Sequence, residues 1–310
     1  MPSILTHYIF FNEYINDDSS IGNVGTQGPD PFYFYFCGFR KLKNTKEICE
    51  IGTFLHQINP ISTFIYFYEY INKFDESDKI ILNNYLKGLI AHYCLDSVVH
   101  PYVFYKSGFS LTDSEDEIHK YFLDHVNLET YIDVLIKDYY HYNITPSKTL
   151  KVHKKDLQLV SEMYKNYLVN YCNFYYVDDK TFFTATKRMS LAYKFIYSHF
   201  GMRKKFYNKF LKNSSINAFS NPSLKYCKKK DYLNLSHQEY HDVTNNSLIG
   251  NFSIIDLFNE AKKKYENIIN ILFSIVSIEQ KITLLKDLID DLNHDGNKVG
   301  AKKLYFNSFF

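Results

Sequence analysis

The sequence has no tryptophan, only scattered cysteines and no long apolar run. Its five cysteines are odd in number and none forms a C-x-x-C pair, which argues against a disulfide framework and against a cysteine zinc site. The longest apolar stretch, residues 268–278, is interrupted by one asparagine and two serines and is too short to span a bilayer. The first residues do not have the pattern of a signal peptide. We therefore expect a cytoplasmic protein without a transmembrane segment.

A strong charge of either sign is also missing, because 36 Lys and Arg residues are matched by 34 Asp and Glu residues. This balance favours neither a nucleic-acid binder nor an acidic tail. Tyr and Phe are abundant, as are Ile, Asn and Lys, which is typical of AT-rich codon usage rather than of a surface adapted to lipid. The length and the 45% of hydrophobic residues allow a substantial core, and we expect one domain over residues 1–310.

Apolar residues recur mostly at helical spacing, and no alternating pattern is long enough to indicate a sheet. Pro101 is expected to end or kink the helix that contains it. A polar connection over residues 213–251 carries Lys228–Lys230, which we interpret as a solvated face. The fold class is therefore predicted as all-α, a multi-helix bundle, with helices over residues 6–16, 46–57, 60–74, 77–105, 115–140, 155–175, 180–212, 253–278 and 279–292.

The strongest chemical pattern is His92-x-x-x-Asp96-x-x-x-His100, which lies within one of the predicted helices. Residues four apart share a helix face, so the three side chains project in the same direction. The flanking residues are apolar, which predicts that this face points inward. A buried carboxylate is costly unless it is paired or bound to metal, and two histidines beside it favour a metal.

A second pattern, His125-x-x-x-Glu129, also places two ligand types on one helix face. Imidazole nitrogen and carboxylate oxygen suit zinc, although an exposed pair of this kind is common on helix surfaces. His7, Asp30 and His56 are further candidates. Taken singly, Asp30 is equally typical of a turn or helix cap, and His56 of a hydrogen-bonded structural histidine.

The remaining histidines are weaker candidates for ligands. His119 is six residues before His125 and off its face, which favours a supporting or solvated position. The pair His237 and His241, followed by Asp242, lies in a predicted loop and is interpreted as surface. Four others have no partner at ligand spacing, namely His141, His153, His199 and His294.

In order and approximate spacing, these residues resemble the zinc-dependent phospholipases C, whose superfamily includes single-strand nucleases. The similarity covers Thr6-His7, Gly25-x-Gln27-Gly28-Pro29-Asp30, His56, His92-Tyr93-x-Leu95-Asp96-x-x-x-His100-Pro101 and His125-x-x-x-Glu129, with a weaker likeness at residues 231–234 and 252–261. The resemblance implies an all-α bundle with a metal-binding cleft. Residues 1–140 would carry the ligands and residues 141–310 would supply supporting helices, without the β-sandwich of toxin-like members.

The resemblance also implies a role for each residue. Asp30, His56, His92 and Asp96 would hold one zinc, and His100, His125 and Glu129 a second. His7 and a bridging Asp96 would hold a third, aided in the family by the free N-terminal amine. In secreted members the N-terminal residue that binds this metal is a tryptophan. In this chain, Pro2 would have to supply the amine and carbonyl in its place. We therefore expect two or three zinc ions, with Asp30 orienting or deprotonating the attacking water.

The function implied is that of a phospholipase C, which cleaves a phospholipid at a membrane surface to diacylglycerol and a phosphorylated headgroup. Two alternatives remain open. A nuclease or nucleotidase could use the same metal cluster, although basic clustering near the motifs is not evident and nucleic acid is not favoured. A non-catalytic helical protein could bind zinc for structure alone.

Overall fold

The all-α class is confirmed by the computed structural model, which describes residues 4–38, 42–112 and 114–310. None of the helices in this part of the chain is both long and apolar enough to cross a membrane. The helices are α1 (Ile4–Phe10), α2 (Ser20–Gly25), α3 (Thr45–Gln57), α4 (Ile61–Ile71), α5 (Glu76–Ser107), α6 (Glu115–Tyr139), α7 (Pro146–Thr149), α8 (Lys154–Asn170), α9 (Thr181–Ile196), α10 (Met202–Phe210), α11 (Ser215–Phe219), α12 (Leu224–Cys227), α13 (Ile254–Leu272) and α14 (Ile278–Ile289).

The long helix α5 runs through the centre of the molecule. It begins where the Asp75 side chain accepts a hydrogen bond from the backbone N–H of Asp78, and most of its residues from Leu82 onward are buried. A helix that is apolar around much of its circumference requires neighbours on all sides. Here α2, α13, α4 and α6 pack around it, and apolar residues from both halves of the chain join one core.

Pro101 does not end α5, which continues to Ser107. Proline has no N–H, so the carbonyl of Ser97 one turn earlier loses its usual helical partner. A loop near the C-terminus packs against this point. A Cβ added to Gly296 would lie 2.1 Å from the Ser97 oxygen and 3.0 Å from the Pro101 ring, so this close approach requires glycine.

Two glycines allow α2 to approach α5 closely. A Cβ on Gly25 would lie 2.3 Å from the Tyr85 oxygen, and one on Gly88 would lie 2.1 Å from the Gly22 oxygen. The segment that follows α2 is thereby held against α5, where it forms a short 3₁₀ turn over Asp30–Phe34. This packing carries Asp30 into the interior.

The first helix is fixed by one buried carboxylate. Asp133 of α6 accepts hydrogen bonds from the Leu5 N–H at 3.1 Å, the Thr6 N–H at 2.7 Å and the Thr6 hydroxyl at 2.7 Å. These bonds satisfy donors at the start of α1 that have no partner within the helix.

The helix predicted over residues 6–16 is interrupted, because Phe11–Ile15 form a π-helical turn that ends at Asn16 with a φ of 58°.

The second half differs from the prediction in detail. The helix expected over residues 180–212 is divided into α9 and α10, and Gly201 between them has a φ of 66°. Within the predicted connection, two strands, β1 (Tyr240–His241) and β2 (Ile249–Gly250), pair antiparallel. The sequence did not indicate these strands, because two residues are too few to produce a periodic pattern. As expected, no β-sandwich occurs in the described residues after 150.

The chain after α14 has little regular structure but returns to the end of α5. The N–H of Asn307 donates to the Tyr105 carbonyl at 2.9 Å, and the N–H of Phe309 to the Lys106 carbonyl at 2.8 Å. The predicted helix over residues 279–292 ends at Ile289, and Asp290 has a φ of 54°. Because α14 ends at Ile289, residues 290–297 can turn toward the interior, where Asn293, His294 and Asn297 are buried.

Replacing Asp133 by alanine leaves three buried donors at the start of α1 without an acceptor. We expect the free energy of unfolding to fall by about 3 kcal/mol, because each unsatisfied buried donor costs about 1–3 kcal/mol and some regain water. Urea unfolding followed by circular dichroism measures this loss. Asp138→Ala, which removes a partly exposed ion pair with Lys228 from the same helix, is the control and should cost less than about 1 kcal/mol. Equal losses in the two variants would contradict the anchoring role.

Candidate metal centre

Four side chains from three parts of the chain meet beside α5. His56 comes from the last turn of α3, His92 and Asp96 from α5, and His294 from the loop after α14. Each offers one ligand atom, and these atoms all lie within 4.8 Å of one another. All four side chains are buried. We call this set the first cluster.

Two of these histidines are oriented by backbone carbonyls. Nδ1 of His56 lies 2.7 Å from the Gly52 oxygen, and Nδ1 of His92 lies 3.0 Å from the Thr26 oxygen. A carbonyl can only accept, so each Nδ1 carries a hydrogen, and in the neutral form of each ring the lone pair of Nε2 points inward. Histidines that bind metal typically donate their other ring N–H to a carbonyl in this way.

The inward nitrogens face carboxylate oxygens. Nε2 of His92 lies 3.1 Å from Oδ2 of Asp96, and Nε2 of His56 lies 3.2 Å from Oδ1 of Asp30. None of these four atoms makes a hydrogen bond within the described residues. A lone pair facing a buried carboxylate is unfavourable unless a cation lies between them or the ring is protonated. The arrangement therefore fits a bound metal ion.

His294 was missed by the sequence analysis, which found no partner for it. Its ring centroid lies 5.1 Å from that of His56 and 5.4 Å from that of His92. Burial and the neighbouring histidines lower the pKa of His294 well below its usual range, which favours the neutral ring that binds metals.

A turn holds His294 in this position. The Asn293 side-chain oxygen accepts from the N–H of Asp295 at 3.0 Å and of Asn297 at 3.3 Å. The His294 N–H donates to the His56 carbonyl at 3.2 Å. The sequence Asn293-His-Asp-Gly-Asn297 is typical of such a turn, but no local signal indicates that the turn packs on α5.

A second cluster lies one turn farther along α5. His100, His125 and Glu129 also bring one ligand atom each within 4.8 Å of the others. Oε1 of Glu129 is 3.1 Å from Nε2 of His125 and 3.3 Å from Nε2 of His100. The His294 carbonyl accepts from Nδ1 of His100 at 3.0 Å, so the same turn orients a ligand in each cluster.

Asp96 lies between the clusters. Its Oδ2 faces His92, while its Oδ1 is 2.9 Å from Nε2 of His7 and 3.8 Å from Nε2 of His100. Although burial raises the pKa of Asp96, the adjacent His92, His100 and His7 hold it well below its usual range. Burial lowers the pKa of His100, but Asp96 and Glu129 raise it to about 9. These shifts describe an anionic Asp96 that is stabilised by positive charge, either on the histidines around it or on a bound metal ion.

His7 and Asp96 are two donors for the third site implied by the resemblance. His7 is buried, and its ring centroid is 4.6 Å from that of His92. The contribution expected of Pro2 lies outside the described residues. The third site therefore stays a prediction.

Asp30 is completely buried, and neither of its carboxylate oxygens has a hydrogen-bond partner among the described residues. The approach of its segment to His92 depends on Gly28, which has a φ of 49° and whose added Cβ would lie 2.2 Å from the His92 ring. Asp30 contacts His56 but does not belong to the four-donor group of the first cluster.

All eight residues predicted as ligands are therefore buried in one centre, namely His7, Asp30, His56, His92, Asp96, His100, His125 and Glu129. The histidines interpreted as surface lie elsewhere: the side chain of His237 is 55% exposed and its Nδ1 binds the Asn251 carbonyl. Imidazole and carboxylate groups in this number could hold divalent metal ions, and zinc accepts both. Comparisons with protein-family models, curated proteins and solved structures found no match for this chain.

Replacing His294 by alanine removes one donor from the first cluster without touching the second. We expect the affinity of that site for Zn²⁺ to fall by more than about tenfold, since even the loss of a residue that only hydrogen-bonds to a metal ligand commonly costs about 10–100-fold. Metal content after dialysis against a weak chelator, measured by mass spectrometry, tests this. His199→Ala, at an exposed position, is the matched control. If His294→Ala retains as much metal as the control, His294 is not a ligand.

Proposed function

We propose that this protein is a zinc-dependent phosphodiester hydrolase, and specifically a phospholipase C that releases diacylglycerol and a phosphorylated headgroup. The observation that carries the proposal is the convergence of the eight residues that match the ligand pattern of that family. They are spread from residue 7 to residue 129, yet all are buried around α5. A chance similarity of spacing gives no reason for such convergence.

The donor count of each cluster supports a division of roles. Four protein donors, as in the first cluster, are typical of a closed zinc site, whereas three leave a position for water or substrate. Zinc in such sites supplies a hydroxide at neutral pH and polarises phosphoryl oxygens. We therefore assign the reacting water to the side of His100, His125 and Glu129. The first cluster would add positive charge beside it.

Asp30 is the best candidate for the general base. Because His294 completes a group of four donors without it, the Asp30 carboxylate is free to accept a proton or to orient water. Neither oxygen has a hydrogen-bond partner within the described chain, and although Oδ1 faces Nε2 of His56 at 3.2 Å, Oδ2 is left to accept a proton. A buried carboxylate beside candidate metal ligands is suited to take a proton from an attacking water.

Replacing Asp30 by asparagine keeps the shape of the side chain and removes its basicity. We expect kcat to fall by about 10²–10⁴, the usual contribution of general base catalysis, while the zinc content stays close to that of the parent protein. Asp287→Asn, at an exposed position of α14, is the control. Full activity of Asp30→Asn would remove Asp30 from the mechanism, and loss of one zinc per chain would make it a ligand instead.

A nuclease or nucleotidase is the second candidate, because residues 181–230 contain no acidic residue and would tolerate a polyanion nearby. Parallel assays on phosphatidylcholine, an anionic phospholipid and single-stranded DNA separate the two. Lipid cleavage supports the phospholipase, and cleavage of DNA alone supports the nuclease. Bound zinc with no turnover of any substrate would support the remaining alternative, a non-catalytic protein that binds zinc for structure.

A further inference from the structure

The charge of the chain is unevenly distributed, although its total is nearly balanced. Residues 181–230 contain twelve of the 36 basic residues and none of the 34 acidic ones. This segment covers α9 to α12. Such an excess of basic residues attracts anionic partners, although Asp116 and Asp124 of α6 line the groove beside Lys205.

The same segment exposes large apolar side chains. Met202, Phe206 and Phe210 are four residues apart on one face of α10, with exposed fractions of 64%, 58% and 60%. Phe200, just before the helix, is 75% exposed. Lys205 and Lys209 are exposed beside them. We call these six residues the α10 surface.

The opposite face of α10 already binds the rest of the protein. Lys204 is buried, and its Nζ donates to the Asn127 side-chain oxygen and to the Asn217 carbonyl, both at 2.6 Å. The Arg203 guanidinium donates to the carbonyls of Lys194 and Tyr197. These contacts hold the helix in place with its apolar face toward solvent.

We propose that the α10 surface docks the protein onto an anionic phospholipid bilayer. Phenylalanine and methionine on one helix face can enter the boundary between headgroups and acyl chains, while flanking lysines reach anionic headgroups. Each lysine near such a surface contributes about 1 kcal/mol.

Two other occupants fit less well. A second copy of this face would bring equal positive charges together, which opposes a symmetric contact. Single-stranded nucleic acid is normally bound in a groove where bases stack on aromatic rings. Here the apolar side chains project from a single exposed helix. The bilayer is the occupant that uses both the positive charge and the apolar face.

The α10 surface is joined to the helix that holds the second cluster. Asn127, the partner of Lys204, lies on α6 between His125 and Glu129. A docked α10 would thus hold the metal-ligand helix close to the membrane. The docking proposal does not depend on hydrolysis, although a phospholipase would use this surface to reach its substrate.

Sedimentation of the protein with vesicles tests the proposal directly. Vesicles of phosphatidylcholine alone are compared with vesicles that also contain phosphatidylglycerol, at two salt concentrations. We expect binding to the anionic vesicles that weakens at high salt. The pair Phe206→Ser with Phe210→Ser, and the pair Lys205→Glu with Lys209→Glu, should each weaken it by more than tenfold. Circular dichroism checks that the variants fold.

Matched controls remove similar residues elsewhere: Phe252→Ser, at an exposed phenylalanine, and Lys262→Glu with Lys263→Glu on α13. These should bind vesicles as the parent does. No binding to anionic vesicles, or unchanged binding of both α10 pairs, would overturn the proposal. So would binding of single-stranded DNA, or a dimer in light scattering, that the α10 changes abolish while vesicle binding is absent.

Lipid turnover is measured on the same samples. Docking without turnover would reject the proposed hydrolase while leaving the α10 surface intact. Turnover of dispersed short-chain phospholipid without vesicle binding would support the proposed hydrolase and reject the α10 surface as a docking site.

Discussion

The structure depends on holding buried carboxylates opposite the lone pairs of histidines. Nδ1 of His56 and Nδ1 of His92 each face a backbone carbonyl, which leaves Nε2 toward a carboxylate oxygen at 3.2 Å and 3.1 Å, respectively. In a low-dielectric interior this contact is costly without positive charge. Bound metal ions would supply that charge, and in the proposed hydrolase they would also act on the phosphodiester. Stability and the proposed catalysis would then rest on the same contact.

Much of the surrounding fold serves to bring these groups together. Helices α5 and α6 each carry polar side chains at four-residue spacing, and α6 extends its row from Glu129 to Asp133, which fixes α1 and His7. The close packing at Gly25 and Gly88 carries the Asp30 segment inward. Pro101 and Gly296 create the place where the His294 turn meets α5. A few close approaches between backbone segments thus fix the positions of parts of the chain that are distant in sequence.

The sequence predicted the helical class and the inward direction of His92, Asp96 and His100, because helical spacing and apolar flanks are local signals. The other five ligand candidates were assigned with the help of the family resemblance, and they too are buried. The sequence did not predict His294, since a turn distant in sequence reaches the centre only through tertiary packing. Pro101 was expected to end or kink α5; it does not end the helix, and the Gly296 loop packs against it there. The break between α9 and α10 was also missed, although Gly201 is a local sign of it.

Anomalous diffraction at the zinc absorption edge from crystals of the zinc-loaded protein tests the central claim most directly. We predict one peak surrounded by His56, His92, Asp96 and His294, and a second surrounded by His100, His125 and Glu129. The contrary result would be the same side chains in place with no anomalous peak between them, the histidines being protonated and bonded directly to the carboxylates. That outcome would make the centre a network of buried ion pairs and would leave the proposed hydrolase without its catalyst.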